Sequence, residues 1–106
     1  MTIDILLPYY GPTKYLIQAV SSVRMQTDHD WHLVIINDNY PYGDPAKWIY
    51  ELDDSRIDYI VNELNLGVAQ NFQKALTLAR NEYFVMLGCD DILKSNYVAT
   101  MKKYIK

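Results

Sequence analysis

Cysteine is nearly absent from this chain: Cys89 is the one in 106 residues, so no internal disulfide is available and no cysteine pair sets a zinc-site spacing. A reduced, cytoplasmic setting is the expectation. Glycine and proline number four each, far below a collagen-like or low-complexity composition. Long apolar runs are missing as well. The opening Met1-Thr2-Ile3-Asp4-Ile5-Leu6-Leu7-Pro8 lacks the basic region and the apolar length of a signal peptide or a membrane span. Peripheral attachment at the inner face of a membrane stays open. Positive charge is scarce: 10 Lys and Arg stand against 13 Asp and Glu, a net charge of −3 with a pI near 5.1. That balance gives no electrostatic case for nucleic acid or for an anionic membrane surface. The densest basic cluster, Lys102-Lys103 with Lys106, reads as decoration of a helix end.

What is plentiful is apolar surface to bury. Half of the residues are hydrophobic and 22% are charged, a balance that supports a packed core and excludes disorder. The length suits one small domain, residues 1–106, or part of a larger protein. Four short runs, Ile3–Leu7, Leu33–Ile36, Ile57–Val61 and Tyr83–Leu87, are rich in β-branched or aromatic residues and read as strands. The second and fourth are apolar throughout, the pattern of parallel strands covered on both faces. Between them the period becomes helical. Leu16, Ala19, Val20 and Val23 share one helical face, as do Phe72, Ala75, Leu76 and Ala79. Asp44-Pro45 opens a short helix through Trp48 and Leu52, and a last helix starts near Ser95-Asn96 with Tyr97, Met101 and Tyr104 inward. The alternation β-α-β-α-β-α-β-α predicts an α/β, Rossmann-like open parallel sheet with helices on both faces, in the guessed strand order 3-2-1-4.

In such sheets ligands bind beyond the carboxyl ends of the strands, near the point where strand order reverses. Those ends here are Pro8-Tyr9-Tyr10-Gly11, Asn37-Asp38-Asn39, Asn62 to Gly67, and Gly88-Cys89-Asp90-Asp91. Asp90-Asp91 places two carboxylates directly after a buried strand. A hard divalent cation, Mg²⁺ or Mn²⁺, uses one or two protein carboxylates with phosphate oxygens, and such a pair suits it. The same pair on a solvated turn would do no more than cap it. Asp38 is a candidate to accept a hydrogen bond from a base or ribose, and equally a turn residue. Neighbouring strands lie about 4.8 Å apart, so the ends of strands two and four stand about 10 Å apart, a span suited to a nucleoside diphosphate. Asn65-Leu66-Gly67 reads either as a phosphate-side loop at a helix N-terminus or as a helix-entry turn. His29 and His32 read as ordinary surface residues and Cys89 as a small apolar one.

Taken in order, these segments resemble the N-terminal half of a family 2 glycosyltransferase with the GT-A fold. Ile5-Leu6-Leu7-Pro8-Tyr9-Tyr10 is similar to the opening strand. Ala19-Val20-Ser21-Ser22-Val23 through Gln26-Thr27 is similar to the "SV..QT" helix end, and Ile35-Ile36-Asn37-Asp38-Asn39 to "VVDDGS". Asn65-Leu66-Gly67-Val68 resembles "NLGV", and Gly88-Cys89-Asp90-Asp91 resembles the "DxDD" segment. The resemblance implies binding of a nucleotide-sugar donor, a UDP-sugar being favoured, with Asp38 toward the base and Pro8 and Tyr10 lining the nucleoside. Asp91 would hold a divalent Mn²⁺ or Mg²⁺, with Asp90 toward ribose or the metal. The implied chemistry is inverting glycosyl transfer in polysaccharide or glycoconjugate synthesis. Gly88 departs from the first acidic position of "DxDD", and Asn37-Asp38-Asn39-Tyr40 departs from the usual acidic pair and small residues.

Family members continue past the metal motif with acceptor-binding elements and a general base, for which these 106 residues offer no candidate. The expectation is therefore a truncated, donor-binding domain, inactive in transfer by itself. Truncation would leave the 83–87 strand edge open to self-association. A Rossmann dehydrogenase is disfavoured because no G-x-G-x-x-G follows strand one. The competing class is a non-catalytic nucleotide-binding or interaction module.

Overall fold

Four strands and four helices alternate along residues 1–105, the part of the chain that the computed structural model describes. They are β1 (Ile3–Tyr9), α1 (Thr13–Arg24), β2 (Trp31–Asn37), α2 (Ala46–Glu51), β3 (Ile57–Val61), α3 (Val68–Thr77), β4 (Phe84–Met86) and α4 (Tyr97–Tyr104). The sheet is parallel throughout, as the alternation predicts, and its order β3-β2-β1-β4 is the guessed one. β1 and β2 form its centre, in register from Ile3 opposite Trp31 to Tyr9 opposite Asn37.

Period-2 alternation on these two strands divides the core. Ile3, Ile5, Leu7, Leu33 and Ile35 meet Leu16, Ala19, Val20 and Val23 of α1, Ile49 of α2 and Val98 of α4. Leu6, Val34 and Ile36 point to the other face and meet Ala75 of α3. Both faces are thus covered, three helices on one and a single helix on the other. Fully burying an aliphatic side chain of this kind contributes about 1.5–3 kcal/mol, which explains why the central strands carry almost nothing else.

Two helices meet the core with only part of the face their periodicity suggests: Ala75 and Ala79 of the α3 set and Tyr97 and Met101 of the α4 set pack inward. In α3 the residues against the sheet are Asn71 and Ala75, with Leu78 half-buried behind them, whereas Phe72 and Leu76 remain 43% and 37% exposed. In α4 Val98 is buried and Tyr97 and Met101 pack on the core, but Tyr104 is 85% exposed. Gln26 explains how α4 docks. Its buried amide donates to the carbonyls of Ser22 and Lys94 (3.2 and 2.7 Å) and accepts the Val98 N–H at 3.0 Å. An orphan donor of the first helical turn is thereby satisfied from another element. Lys102 and Lys103 do close the last turn of α4, while Lys106 lies outside the described residues.

His32 is not the surface residue its sequence context suggests. It is buried, one ring nitrogen 2.8 Å from Asp4 and the other 2.7 Å from Asp58. Those carboxylates come from the neighbouring strands, so nothing local in the sequence announces them. His29 is exposed, as expected.

Candidate functional site

Because all four strands run the same way, their carboxyl ends share one rim, with β1 between β2 and β4 where the order reverses. A cleft of about 350 Å³ opens there, walled by Pro8, Tyr10, Asp38, Asn65, Gly67 and Cys89 among others. Three of the four residues that the sequence assigns to the nucleotide therefore stand together.

Asp38 is buried, and its carboxylate is largely engaged. Oδ1 accepts the Asn62 amide (2.9 Å) and the Leu66 N–H (2.7 Å), and Oδ2 accepts the Gly67 N–H (2.9 Å). The Asn65 amide donates to its carbonyl at 3.1 Å. Asn65-Leu66-Gly67 is thus a helix-entry turn held by Asp38, and two of its N–H groups are already committed to that carboxylate. Oδ2 accepts one hydrogen bond where a carboxylate oxygen can accept two. The α3 N-terminus follows directly at Val68, with no side chain capping it. A negative Asp38 beside it complements the helix dipole and disfavours a second anion at that end of the cleft.

The support beneath Asp38 escapes the sequence argument. Asn62 also donates to Asn71 Oδ1 at 2.9 Å and accepts from Lys74 Nζ at 2.5 Å, while Asn71 donates to the Ile36 carbonyl at 3.1 Å. One signal was available: Asn71 stands one turn before Ala75, a polar residue on the helical face that meets the sheet. Asn37, where "VVDDGS" has its first acid, is buried, donating to the Tyr59 hydroxyl and accepting the Tyr40 N–H, both at 2.9 Å. Asn39, at the glycine position of that motif, has φ of +61°, a conformation asparagine tolerates better than other side chains.

Tyr10 is 49% exposed in the cleft wall, edge-on to Tyr40 with centroids 5.4 Å apart. The Tyr40 ring lies where a side chain on Gly11 would have to go, and Gly11 has φ of +64°. Both facts require glycine there. Cys89 is half-buried and free, its thiol pushed up by burial, and its Sγ donates to the Gly11 carbonyl at 3.6 Å. It ties the end of β1 to the turn after β4.

Asp90 and Asp91 stand exposed on that turn, which the Asp91 N–H closes onto the Gly88 carbonyl at 3.0 Å. Neither belongs to the cleft wall; they follow Cys89, which does. Asp91 Oδ2 and Asp90 Oδ1 lie 2.5 and 3.3 Å from the point a β-carbon on Gly88 would occupy. Two exposed carboxylates on one turn are the donor type a hard cation uses when it takes its other ligands from water and phosphate. Among the described residues no group of three His, Cys, Asp or Glu side chains forms a protein-only cage.

Known proteins give the same outline. The model of glycosyl transferase family 2 matches residues 4–106. An uncharacterized glycosyltransferase of Methanocaldococcus jannaschii is 34% identical over 105 residues, 96% of this chain and 36% of that protein. An Escherichia coli UDP-Glc:α-D-GlcNAc-diphosphoundecaprenol β-1,3-glucosyltransferase is 31% identical over 94 residues, 89% of this chain and 37% of that protein. The chain therefore spans about a third of the length of these relatives. Among solved structures, Staphylococcus aureus TarS 1–349 in complex with UDP-GlcNAc superimposes with a TM-score of 0.84 at 20% identity, covering 99% of this chain and 31% of that one. The Pyrobaculum calidifontis mannosyltransferase in complex with GDP-Man and Mn²⁺ gives 0.85 at 16% identity, covering 97% and 32%. At such identities the structures establish the fold alone, which is that of the GT-A glycosyltransferases. With the family model spanning nearly every residue, the chain belongs to family 2 of the glycosyltransferases.

Proposed function

We propose that this chain is the donor-binding part of a glycosyltransferase, holding a nucleoside-diphosphate sugar together with Mn²⁺ or Mg²⁺ for inverting transfer in polysaccharide or glycoconjugate synthesis. The observation that carries the reading is the asymmetry of the rim. Within the cleft Asp38 lines the wall with Pro8 and Tyr10, and its Oδ2 accepts a single hydrogen bond, a setting suited to a base N–H and a nucleoside ring. Outside the cleft wall, just past Cys89, stand two exposed carboxylates without an ion-pair partner among the described residues. A diphosphate is repelled by Asp38 and, with a cation, accepted by that pair. A cation bound there would offset the charge developing on a departing nucleoside diphosphate. Relatives that bind UDP-GlcNAc or GDP-Man support a nucleotide-sugar donor, and a uridine base is favoured here. Transfer itself is proposed for the whole protein, of which this length is about a third in its relatives, and not for these 106 residues alone.

Calorimetric titration with UDP and with GDP, each with and without Mn²⁺, tests the reading on the native chain and on Asp91→Ala. Metal-dependent binding of UDP that the substitution abolishes is expected; metal-independent binding that survives it removes Asp91 from its role. The same proposal includes self-association through β4, which pairs on one side only, with β1, and leaves Phe84 exposed. A monodisperse monomer in light scattering at high concentration would end that part.

A further inference from the structure

Tyr40 stands where "VVDDGS" has a small residue, and the fold makes room for its ring. The room is supplied by Gly11, on which any side chain would run into the Tyr40 ring. The backbone of Tyr40 is fixed separately. Asn37 Oδ1 accepts the Tyr40 N–H at 2.9 Å, and the Asn37 amide donates to the Tyr59 hydroxyl at 2.9 Å, which in turn donates to Asp44 Oδ1 at 2.6 Å. A carboxylate at residue 37, the usual acid of the motif, has no N–H to give that hydroxyl. Two departures from the motif, Asn37 and Tyr40, thus serve one arrangement. From this seat the Tyr40 ring meets three others edge-on: Tyr9 at 5.7 Å between centroids, Tyr10 at 5.4 Å and Tyr42 at 5.7 Å. Tyr9 is buried and Tyr42 lies outside the cleft wall, whereas Tyr10 is half-exposed and forms part of that wall.

We propose that Tyr40 is a positioning residue for the base of the donor: seated against Gly11 and tied to Asn37, it holds the Tyr10 ring in the cleft wall for the base to stack on. The inference rests on the donor-binding reading above and deepens it. A half-exposed tyrosine without a packed neighbour samples several rotamers, and a ligand that stacks on it must first order it. Edge-to-face contact with a ring that is itself held in place orders Tyr10 before the ligand arrives. Tyr40 does not line the cleft, so its effect on binding passes through Tyr10.

Calorimetric titration of the full chain with UDP in the presence of Mn²⁺ tests this. Tyr40→Phe keeps the ring and is expected to bind as the native chain does. Tyr40→Leu keeps apolar bulk without a ring. It is expected to retain the native circular dichroism and to bind UDP about three- to tenfold more weakly, the fold-change that one edge-to-face aromatic contact is worth. Tyr10→Leu is expected to weaken UDP binding about tenfold or more, because the stacking surface itself is gone. Tyr40→Leu added to Tyr10→Leu should then change affinity by less than about twofold, whereas a merely structural Tyr40 would cost the same in both backgrounds. Native affinity in Tyr40→Leu or in Tyr10→Leu, an equal loss in both backgrounds, a loss in Tyr40→Phe as large as in Tyr40→Leu, or a lost fold in Tyr40→Leu would each overturn the role of Tyr40 and leave the donor-binding reading standing. A native chain that binds no UDP would overturn that reading and this inference with it.

Discussion

The two ends of one sheet each carry a knot of carboxylates, and they differ in how fully those charges are answered. At the amino end, Asp4 accepts the Arg80 N–H (2.8 Å), the Asn81 N–H (2.6 Å), the Asn81 amide (3.0 Å) and a nitrogen of His32 (2.8 Å). His32 passes on to Asp58, which Arg80 pairs at 3.1 Å. At the carboxyl end, Asp38 is nearly as engaged, yet Asp90 and Asp91 stand in solvent, and among the described residues neither makes an ion pair. A carboxylate whose lone pairs are filled from within the fold stabilises it. One that is held in place without partners is available to something the chain lacks. On the donor-binding proposal, the same residue type takes structural or binding roles according to the donors around it.

The largest effect that could break this comparison belongs to Asp4. Asp4→Ala leaves the part-buried N–H groups of Arg80 and Asn81 without an acceptor and the buried His32 without one of its partners, and should cost about 3–5 kcal/mol in urea unfolding. A loss below about 1 kcal/mol would mean that the amino-end cluster is decorative. Asp38 comes next. Asp38→Ala frees the Leu66 and Gly67 N–H groups, should cost about 1–3 kcal/mol, and should speed hydrogen exchange at those two amides specifically. Unchanged protection there would show that the turn stands without its carboxylate.

Acid sharpens the same contrast. The Arg56 side chain, hydrogen-bonded to Asp54, holds that carboxyl at about 2 against the usual 3.8, although burial pulls the other way. For Asp4 burial also raises the value, but the hydrogen bonds from Asn81, His32 and Arg80 outweigh it, and the net direction is downward. A carboxylate whose folded value is depressed stabilises the fold above its unfolded value and loses that contribution as pH falls through the folded one. Stability should therefore hold above pH 4 and fall between about pH 4 and pH 2, Asp54 accounting for about 2 kcal/mol at most. Arg56→Gln should remove most of the Asp54 share. Denaturant midpoints at pH 5, 3.5 and 2 check this, and a flat profile would count against it.

How much of this was legible beforehand follows from where each signal resides. Element sequence and helix placement are legible because the apolar runs of β1 and β2 and the punctuation around them are local; the strand order is not written in any such run and is a guess among the few topologies that parallel crossovers leave. The rim residues Pro8, Tyr10 and Asp38 followed from the fold, since strand ends must share one edge. The supports did not. His32 looks solvated until Asp4 and Asp58 arrive from other strands, and Asn71 looks like the polar side of a helix until its amide meets Ile36 and Asn62. Periodicity ranks residues by apolarity, so it turned Phe72 and Leu76 inward where the fold buries an asparagine. Long-range hydrogen bonds decide such positions, and no window along the chain contains them.

Asp91→Ala is the smallest expected change in stability and the sharpest test of the difference between the two rims. The Asp91 side chain is exposed, and its N–H, not its carboxylate, closes the turn onto Gly88. Removing an exposed, unpaired carboxylate away from the core should move stability by no more than about 0.5 kcal/mol. A modest gain is the favoured sign, because the substitution relieves repulsion from Asp90. The same variant should lose Mn²⁺-dependent nucleotide binding. Asp4→Ala should behave in the opposite way, costing stability heavily while whatever remains folded still binds UDP with Mn²⁺. If instead Asp91→Ala unfolded the chain, or Asp4→Ala abolished binding without loss of stability, unanswered charge would no longer mark the binding end of this sheet.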